Sequence, residues 1–468
     1  MFLSELRQIF GDRMLEPEVN KYDQYRHDMV RDPAWHRMPA AVVFPENTDE
    51  VSALLQLASR QGVPVTSRGA GSGLAGGAIP AEGGIVCSLE RMNRVIEIDP
   101  WNLTVTVEPG VVTRELDGML AQHGLFFAGY PMSEEFCSIG GNVATNAGGG
   151  RAIKYGVTGA HVLGLQAVTA DGTVLRLGGK RLKDVTGLNV LPLFVGSEGI
   201  LGVITEITLR LTPRPAARRT LLASFTHAAD ATACVASLRA ARAGVPSSIE
   251  YVDGRSARGA AENLRSTLLP DDGPDETGAL LLIESEGSDL AAAEAQIDAY
   301  ARIVGDAGGS ILARAEDEAS MEAMWKLRKA VPWWVKRRSG PYHSVEDVSV
   351  PTAAVAALVQ GALDLSGRFR LDVSIFGHAG DGNFHINPMR AEELNEEEWA
   401  EELDRFLRAL YAITVELGGT ISGEHGIGRK RTKYLSIALG AAEIAAMRAV
   451  KAALDPQGIL NPGVLLPE

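Results

Sequence analysis

At 468 residues the chain is too long for one ordinary core and long enough for two or three domains. Its composition, 46% hydrophobic and 22% charged, is that of a globular protein and excludes a disordered or fibrous one. A net charge of −14 argues against nucleic acid as a principal partner, yet leaves room for an anionic substrate held by a few local arginines.

In chain order, Phe2, Leu6, Ile9 and Phe10 share one face of a predicted amphipathic helix over residues 1–14. Glu5, Arg7, Asp12 and Arg13 break the apolar core that a secretory signal would need. A short strand is predicted at 40–43, after which Thr48-Asp49-Glu50 caps a helix with Val51, Leu54, Leu55 and Ala58 on one face. The strand at 63–66 runs into Arg68-Gly-Ala-Gly-Ser-Gly-Leu-Ala-Gly-Gly77. Strands follow at 84–88, 95–99 and 104–107, then a turn at Pro109-Gly110 and a helix over 113–123. A second glycine-rich block spans 138–150, and 163–169 with 174–177 form a hairpin about Asp171-Gly172. Gly196-Ser-Glu-Gly199 and a strand at 206–211 close this part.

Beyond Pro213-Arg214-Pro215 the texture changes. Helices rich in alanine and arginine at 228–243 and 290–304 flank a strand at 279–284, as in an α+β layer. The acidic run 392–404 reads as a solvated helix face. Cys87, Cys137 and Cys234 have no paired spacing, which fits a reducing compartment and excludes an iron–sulfur cluster held by this chain alone. No apolar run approaches the ~20 residues of a membrane span. The expected location is cytoplasmic, with peripheral attachment at the inner face of a membrane as an alternative.

Glycine gathers where a backbone approaches a ligand or takes positive φ, and successive N–H groups in such turns cradle phosphate oxygens. The stretch from Arg68 to Gly77 suits a pyrophosphate. A nicotinamide-binding turn fits poorly, because no amphipathic helix opens directly after the glycines. Three such blocks favour a ligand over flexible loops. Together with Cys137-Ser-Ile-Gly-Gly-Asn142, Thr145-Asn-Ala-Gly148, Ser422-Gly-Glu-His-Gly426 and Asn461-Pro-Gly463, they make the chain resemble the FAD-linked oxidase superfamily that includes vanillyl-alcohol oxidase. Within it the likeness is to the branch of D-lactate dehydrogenases, D-2-hydroxyglutarate dehydrogenases and the glycolate oxidase large subunit, and it covers nearly the whole chain.

The resemblance implies an α+β fold: a two-part FAD-binding domain of the vanillyl-alcohol oxidase type with an inserted cap of antiparallel sheet plus helices. Arg68, Gly69, Ala70, Gly71, Ser72 and Gly73 would wrap the pyrophosphate. Pro131, Ser138, Gly141, Asn142, Thr145 and Gly148 would line the flavin and its phosphates. Glu198, Gly202 and Ile204 would lie near the adenine, with Asn461 among the cofactor contacts. Ser72-Gly73 stands where some relatives carry a flavin-linking histidine, so the FAD is expected to be non-covalent.

A further signal is His378-Ala-Gly-Asp-Gly-Asn-Phe-His-Ile-Asn387. With Asp381-Gly382 as the centre of a hairpin, His378 and His385 become directly opposed, their Cβ atoms about 5 Å apart. Asn387 joins that face by the two-residue period and is a candidate substrate contact. Two imidazoles begin a metal site, and Glu424 is the candidate third ligand, leaving positions open for substrate. The resemblance independently points to His378, His385 and Glu424. Zinc is expected, with iron or manganese as alternatives. His425 is the candidate base, because removing an α-hydroxyl proton needs a group that titrates near neutrality.

Arg328 in Trp325-Lys-Leu-Arg-Lys329 resembles the family's carboxylate-binding arginine, a role that suits the guanidinium fork. Relatives acting on dicarboxylates tend to carry a lysine just before the segment that here reads Glu346-Asp347-Val348. Val345 occupies that place and favours a short D-2-hydroxy acid such as lactate or glycolate over hydroxyglutarate. The expected organisation is an FAD-binding domain over 1–215, a cap over 216–419 with its helices on one side of the sheet, and a returning segment over 420–468. Rival readings are a metal-dependent hydrolase and a flavin-binding subunit without turnover. With no second redox motif, electrons would pass to a quinone, an electron-transfer flavoprotein or an iron–sulfur partner, and a homodimer is an alternative to a monomer.

Overall fold

Backbone patterning sorts the chain into two compact units in the computed structural model, which describes residues 2–17, 22–30, 32–270, 273–274 and 277–467. The first unit comprises Met1–Gly148, Gly156–Arg214 and Glu424–Glu468. The second comprises Gly149–Tyr155 and Pro215–Gly423.

In the first unit, Ala41–Val43 and Val65–Arg68 both pair in parallel with Ile85–Ser88, and Met14–Leu15 adds an antiparallel edge. The helix Thr48–Gln61 joins Ala41–Val43 to Val65–Arg68, the two strands that flank Ile85–Ser88, and buries Val51, Leu54, Leu55 and Ala58. The cap of that helix is Asn47, one residue earlier than the sequence reading placed it. Its side chain accepts the Glu50 N–H at 3.0 Å, while Gly62 closes the other end at φ +64°. The N-terminal helix Phe2–Phe10 buries Leu6 and Phe10 in the same core. A five-stranded antiparallel sheet follows, in the order Val95–Asp99, Thr104–Val107, Val203–Arg210, Val162–Val168, Val174–Gly178.

The second unit is built on a seven-stranded antiparallel sheet. Its order is Ser310–Arg314, Ala217–Phe225, Ala279–Gly287, Ser248–Asp253, Leu371–His378, Asn383–Arg390, Glu346–Ser349. Helices cover both faces, which corrects the one-sided expectation. Leu222, Leu280 and Leu282 pack with Met324, Leu327 and Val331 of the helix Glu318–Ser339. On the opposite face Ser285 Oγ donates to the carbonyl of Ala293, in the helix Leu290–Asp306, at 3.0 Å. Two covered faces explain why Ala279–Gly287 is buried along its whole length and shows no alternation. Among the described residues no helix is long and apolar enough to cross a membrane.

Candidate active site

The first glycine segment follows Val65–Arg68 with no helix until well past it, as the sequence pattern predicts. A Cβ on Gly69 would run into Ser138 Oγ, and that oxygen accepts the Ala70 N–H at 3.3 Å. Gly71 has φ +67°, and a Cβ there would strike the Arg68 guanidinium. Gly69 therefore packs on the Ser138 hydroxyl and the Gly141 backbone, and a loop without side chains at Gly69, Gly71 and Gly73 can present its amide groups to a ligand. That is the surface a pyrophosphate needs, so the residues fit FAD. Arg68 braces the loop from beneath: it is 7% exposed and donates to the carbonyls of His27 at 2.8 Å and Gln24 at 2.9 Å. Its guanidinium is committed to these carbonyls. The Gly73 carbonyl accepts the Met29 N–H at 3.0 Å, while Ser72, Gly73 and Pro131 are half-buried.

Along the second block, Asn142 Nδ2 donates to Thr113 Oγ1 at 2.9 Å and Thr145 Oγ1 donates to the Gly141 carbonyl at 3.1 Å. Gly148 leaves room for Glu424, whose Oε2 would lie 3.2 Å from a Cβ at that position. Gly202 is small for packing reasons, since a Cβ would stand 2.9 Å from both the Phe194 ring and the Val168 carbonyl. Ile204 sits in the apolar core of its sheet. Asn461, at φ +42°, donates to the carbonyls of Gly77 and Glu198 at 2.8 Å each and accepts from Thr66 Oγ1 at 3.1 Å. It therefore ties the tail to the loops, with its amide already engaged.

In the second unit the hairpin register differs from the one expected. His378 pairs with Asn383 and His385 with Phe376, because the loop has four residues, 379–382, and not two. The histidines are diagonal neighbours on one face, with ring centroids 5.6 Å apart and planes at 85°. Asn387 shares the face, and its Nδ2 donates to the His385 carbonyl at 3.0 Å. His378 Nδ1 lies 2.7 Å from Glu250 Oε1, and Glu250 Oε2 lies 2.9 Å from Arg328 Nε. Arg328 is 3% exposed, and it lies over the Phe376 ring at 4.9 Å. Burial would raise the Glu250 carboxyl, but His378 and Arg328 outweigh it and hold the group below its ordinary value.

Asp347 pairs across the strands with His385, and the two bring a carboxylate oxygen and a ring nitrogen within 4.8 Å. Its carboxylate accepts from Asn383 Nδ2 at 2.7 Å, Ser422 Oγ at 2.8 Å and the Gly423 N–H at 3.0 Å. Asp347 thus fixes the chain one peptide bond before Glu424. In the first unit, His425 Nε2 stands 3.4 Å from Glu424 Oε1. Sequence reasoning missed Glu250 and Asp347. Glu250 carried no local signal, whereas Asp347 stood in a segment already singled out.

Residues 214–465 match the family described as FAD linked oxidases, C-terminal domain, and residues 39–178 match the FAD binding domain family. The chain belongs to the FAD-linked oxidases. This FAD-linked oxidase is 38% identical over 441 residues to the glycolate oxidase subunit GlcD of Bacillus subtilis, covering 94% of this chain and 91% of that one. It is 36% identical over 427 residues to a D-lactate dehydrogenase of Archaeoglobus fulgidus, covering 90% of each. A substrate-bound p-cresol methylhydroxylase superposes with a TM-score of 0.81 at 18% identity, over 100% of this chain and 96% of that one, which shows the fold alone. The FAD-linked oxidoreductase reading and the vanillyl-alcohol oxidase type of fold both stand.

Proposed function

We propose that this oxidase converts a short D-2-hydroxy acid, of the size of lactate or glycolate, to its 2-oxo acid. The observation that carries the reading is the pair of same-face imidazoles, His378 and His385, beside the buried Arg328. A histidine whose Nδ1 is held by a carboxylate, as His378 is by Glu250, is the usual arrangement of a metal ligand, so the residues fit a divalent ion. His378, His385 and Glu424 would hold that ion, zinc in the first instance, with iron or manganese as alternatives. FAD, held non-covalently, supplies a two-electron acceptor, and the ion supplies Lewis acidity.

Arg328 directs Nη2 toward the substrate carboxylate, and Asn387 contributes to the same face. His425 accepts the proton of the α-hydroxyl at its ring nitrogen, and Val345 stands where a lysine would serve a second carboxylate. Support for the substrate class comes from the relatives named above as glycolate oxidase and D-lactate dehydrogenase. Electrons would then leave to a quinone, an electron-transfer flavoprotein or an iron–sulfur protein. Anaerobic mixing with a panel of D- and L-2-hydroxy acids tests the reading. Bleaching of the flavin by short D-acids is expected, and a flavin that dithionite bleaches but no D-acid does would refute it.

A further inference from the structure

We propose that Glu250 is a positioning residue that sets His378 and Arg328 together, one carboxylate oxygen for each. This rests on the reading of His378 as a metal ligand and Arg328 as the carboxylate-binding arginine. Glu250 lies on Ser248–Asp253, directly across from His378, and is 0% exposed. Its Oε1 takes the contact with His378 Nδ1 at 2.7 Å and its Oε2 the contact with Arg328 Nε at 2.9 Å.

An ionised carboxylate has no proton to give, so His378 must donate from Nδ1. The lone pair then belongs to Nε2, the form in which an imidazole binds a metal without first losing a proton. Ser248 Oγ donates to Glu250 Oε1 at 3.1 Å, and Gly150 packs so closely that a Cβ there would lie 2.8 Å from it. The carboxylate is thereby walled off and oriented.

The same contact sets the arginine. Arg328 Nε stands 2.9 Å from Glu250 Oε2 as an ion pair outside hydrogen-bond geometry, and Nε and Nη2 are both buried with no hydrogen-bond partner among the described residues. A buried donor left unpaired is destabilising, and a carboxylate ligand would relieve it.

Glu250→Gln separates this role from simple charge balance. Glutamine keeps the shape, but its amide has one acceptor and one donor end. If the oxygen serves His378, the NH2 faces the Arg328 guanidinium and the ion pair is lost, and the flipped amide sets NH2 against the His378 N–H. One of the two contacts is lost in either orientation.

The test measures Zn2+ affinity of the FAD-loaded protein by chelator competition, with KM and kcat in parallel, for wild type, Glu250→Gln, Glu250→Asp and His378→Ala. Expected are unchanged FAD content, zinc binding weakened about 10–100-fold in Glu250→Gln, a raised KM, and partial recovery in Glu250→Asp. Zinc affinity within twofold of wild type in Glu250→Gln, while His378→Ala weakens it, overturns the role of Glu250 and leaves the metal reading standing. Unchanged affinity in His378→Ala as well removes the metal reading and this inference with it. Should Glu250→Gln fail to fold, 15N-histidine spectra of the metal-free wild type decide, with His378→Gln giving the assignment. A proton on Nδ1 of His378 supports the inference, and one on Nε2 overturns it.

Discussion

Glu198 Oε2 accepts the backbone N–H of Gly428 at 2.7 Å, while its Oε1 accepts that of Ile427 at 2.8 Å. One buried carboxylate thus pins the turn that follows Glu424-His425-Gly426 to the third glycine block. The sequence reading placed Glu198 near the adenine, and these bonds show that its carboxylate is engaged within the protein.

Burial pushes the Glu198 carboxyl up to about 7, with the two N–H donors and Arg431 offsetting only part of the effect. Because the folded protein holds this proton more tightly than the unfolded chain, the group's contribution to stability falls as pH rises from about 4.5 to 7. Glu198→Gln cannot ionise and removes that slope. Relative to wild type, the variant should gain on the order of 1–3 kcal/mol between pH 5 and pH 8. Urea midpoints of both proteins at the two pH values test this, and a constant gap between them would contradict it.

Gly71→Ala should lose FAD. The left-handed backbone at φ +67° costs an alanine about 1–2 kcal/mol, and the new methyl displaces the Arg68 guanidinium that braces the loop. Gly83→Ala is the control, since it has φ +69° but nothing within 4 Å of a Cβ. It should lower Tm by a comparable strain and keep its flavin. Flavin-to-protein ratios distinguish the two, and equal ratios would show that the Arg68–Gly71 packing is irrelevant to the cofactor.

The wild-type flavin should also be released on acid or heat precipitation. Ser72-Gly73 offers no imidazole at the end of the first loop to form a covalent link. Flavin remaining with the precipitated polypeptide would show an attachment elsewhere.

How much of this was legible in the sequence follows from the range of each signal. The hairpin about Asp381-Gly382 put His378 and His385 on one face, and the two-residue period added Asn387, because side-chain alternation is local to a strand. The register was not legible, since Asp381-Gly382 looks like a two-residue turn while the loop spans four residues. Glu250 could not be found by pattern: it meets His378 only through the pairing of strands 128 residues apart. The helices on both faces escaped notice because the apolar run in Ala279–Gly287 reads equally well as a short buried strand of any sheet.

Chelation, or His378→Ala, should slow substrate-dependent flavin reduction while leaving the flavin spectrum intact. The histidines belong to the strands Leu371–His378 and Asn383–Arg390 of the second unit, whereas the proposed cofactor glycines from Gly69 to Gly148 belong to the first. Stopped-flow bleaching beside metal analysis tests this, and an unchanged rate in metal-free protein would relegate the ion to a structural role.

Glu424 and His425 are neighbours assigned different work, and their variants should part accordingly. Glu424→Gln removes one of three proposed protein ligands, so metal content and rate should fall together. His425→Asn keeps all three, so metal content should stay near normal. Its rate of flavin reduction should nevertheless drop by about two to four orders of magnitude, the usual contribution of a positioned acid–base group. Glu424 Oε1 lies 3.4 Å from His425 Nε2, so Glu424→Gln should alter the surroundings of that ring as well as the metal. Metal stoichiometry and single-turnover bleaching across pH, measured on both variants, resolve the roles. Wild-type rates in His425→Asn would remove it as the base. Metal loss in that variant would make His425 a ligand, and the proton would then need another acceptor.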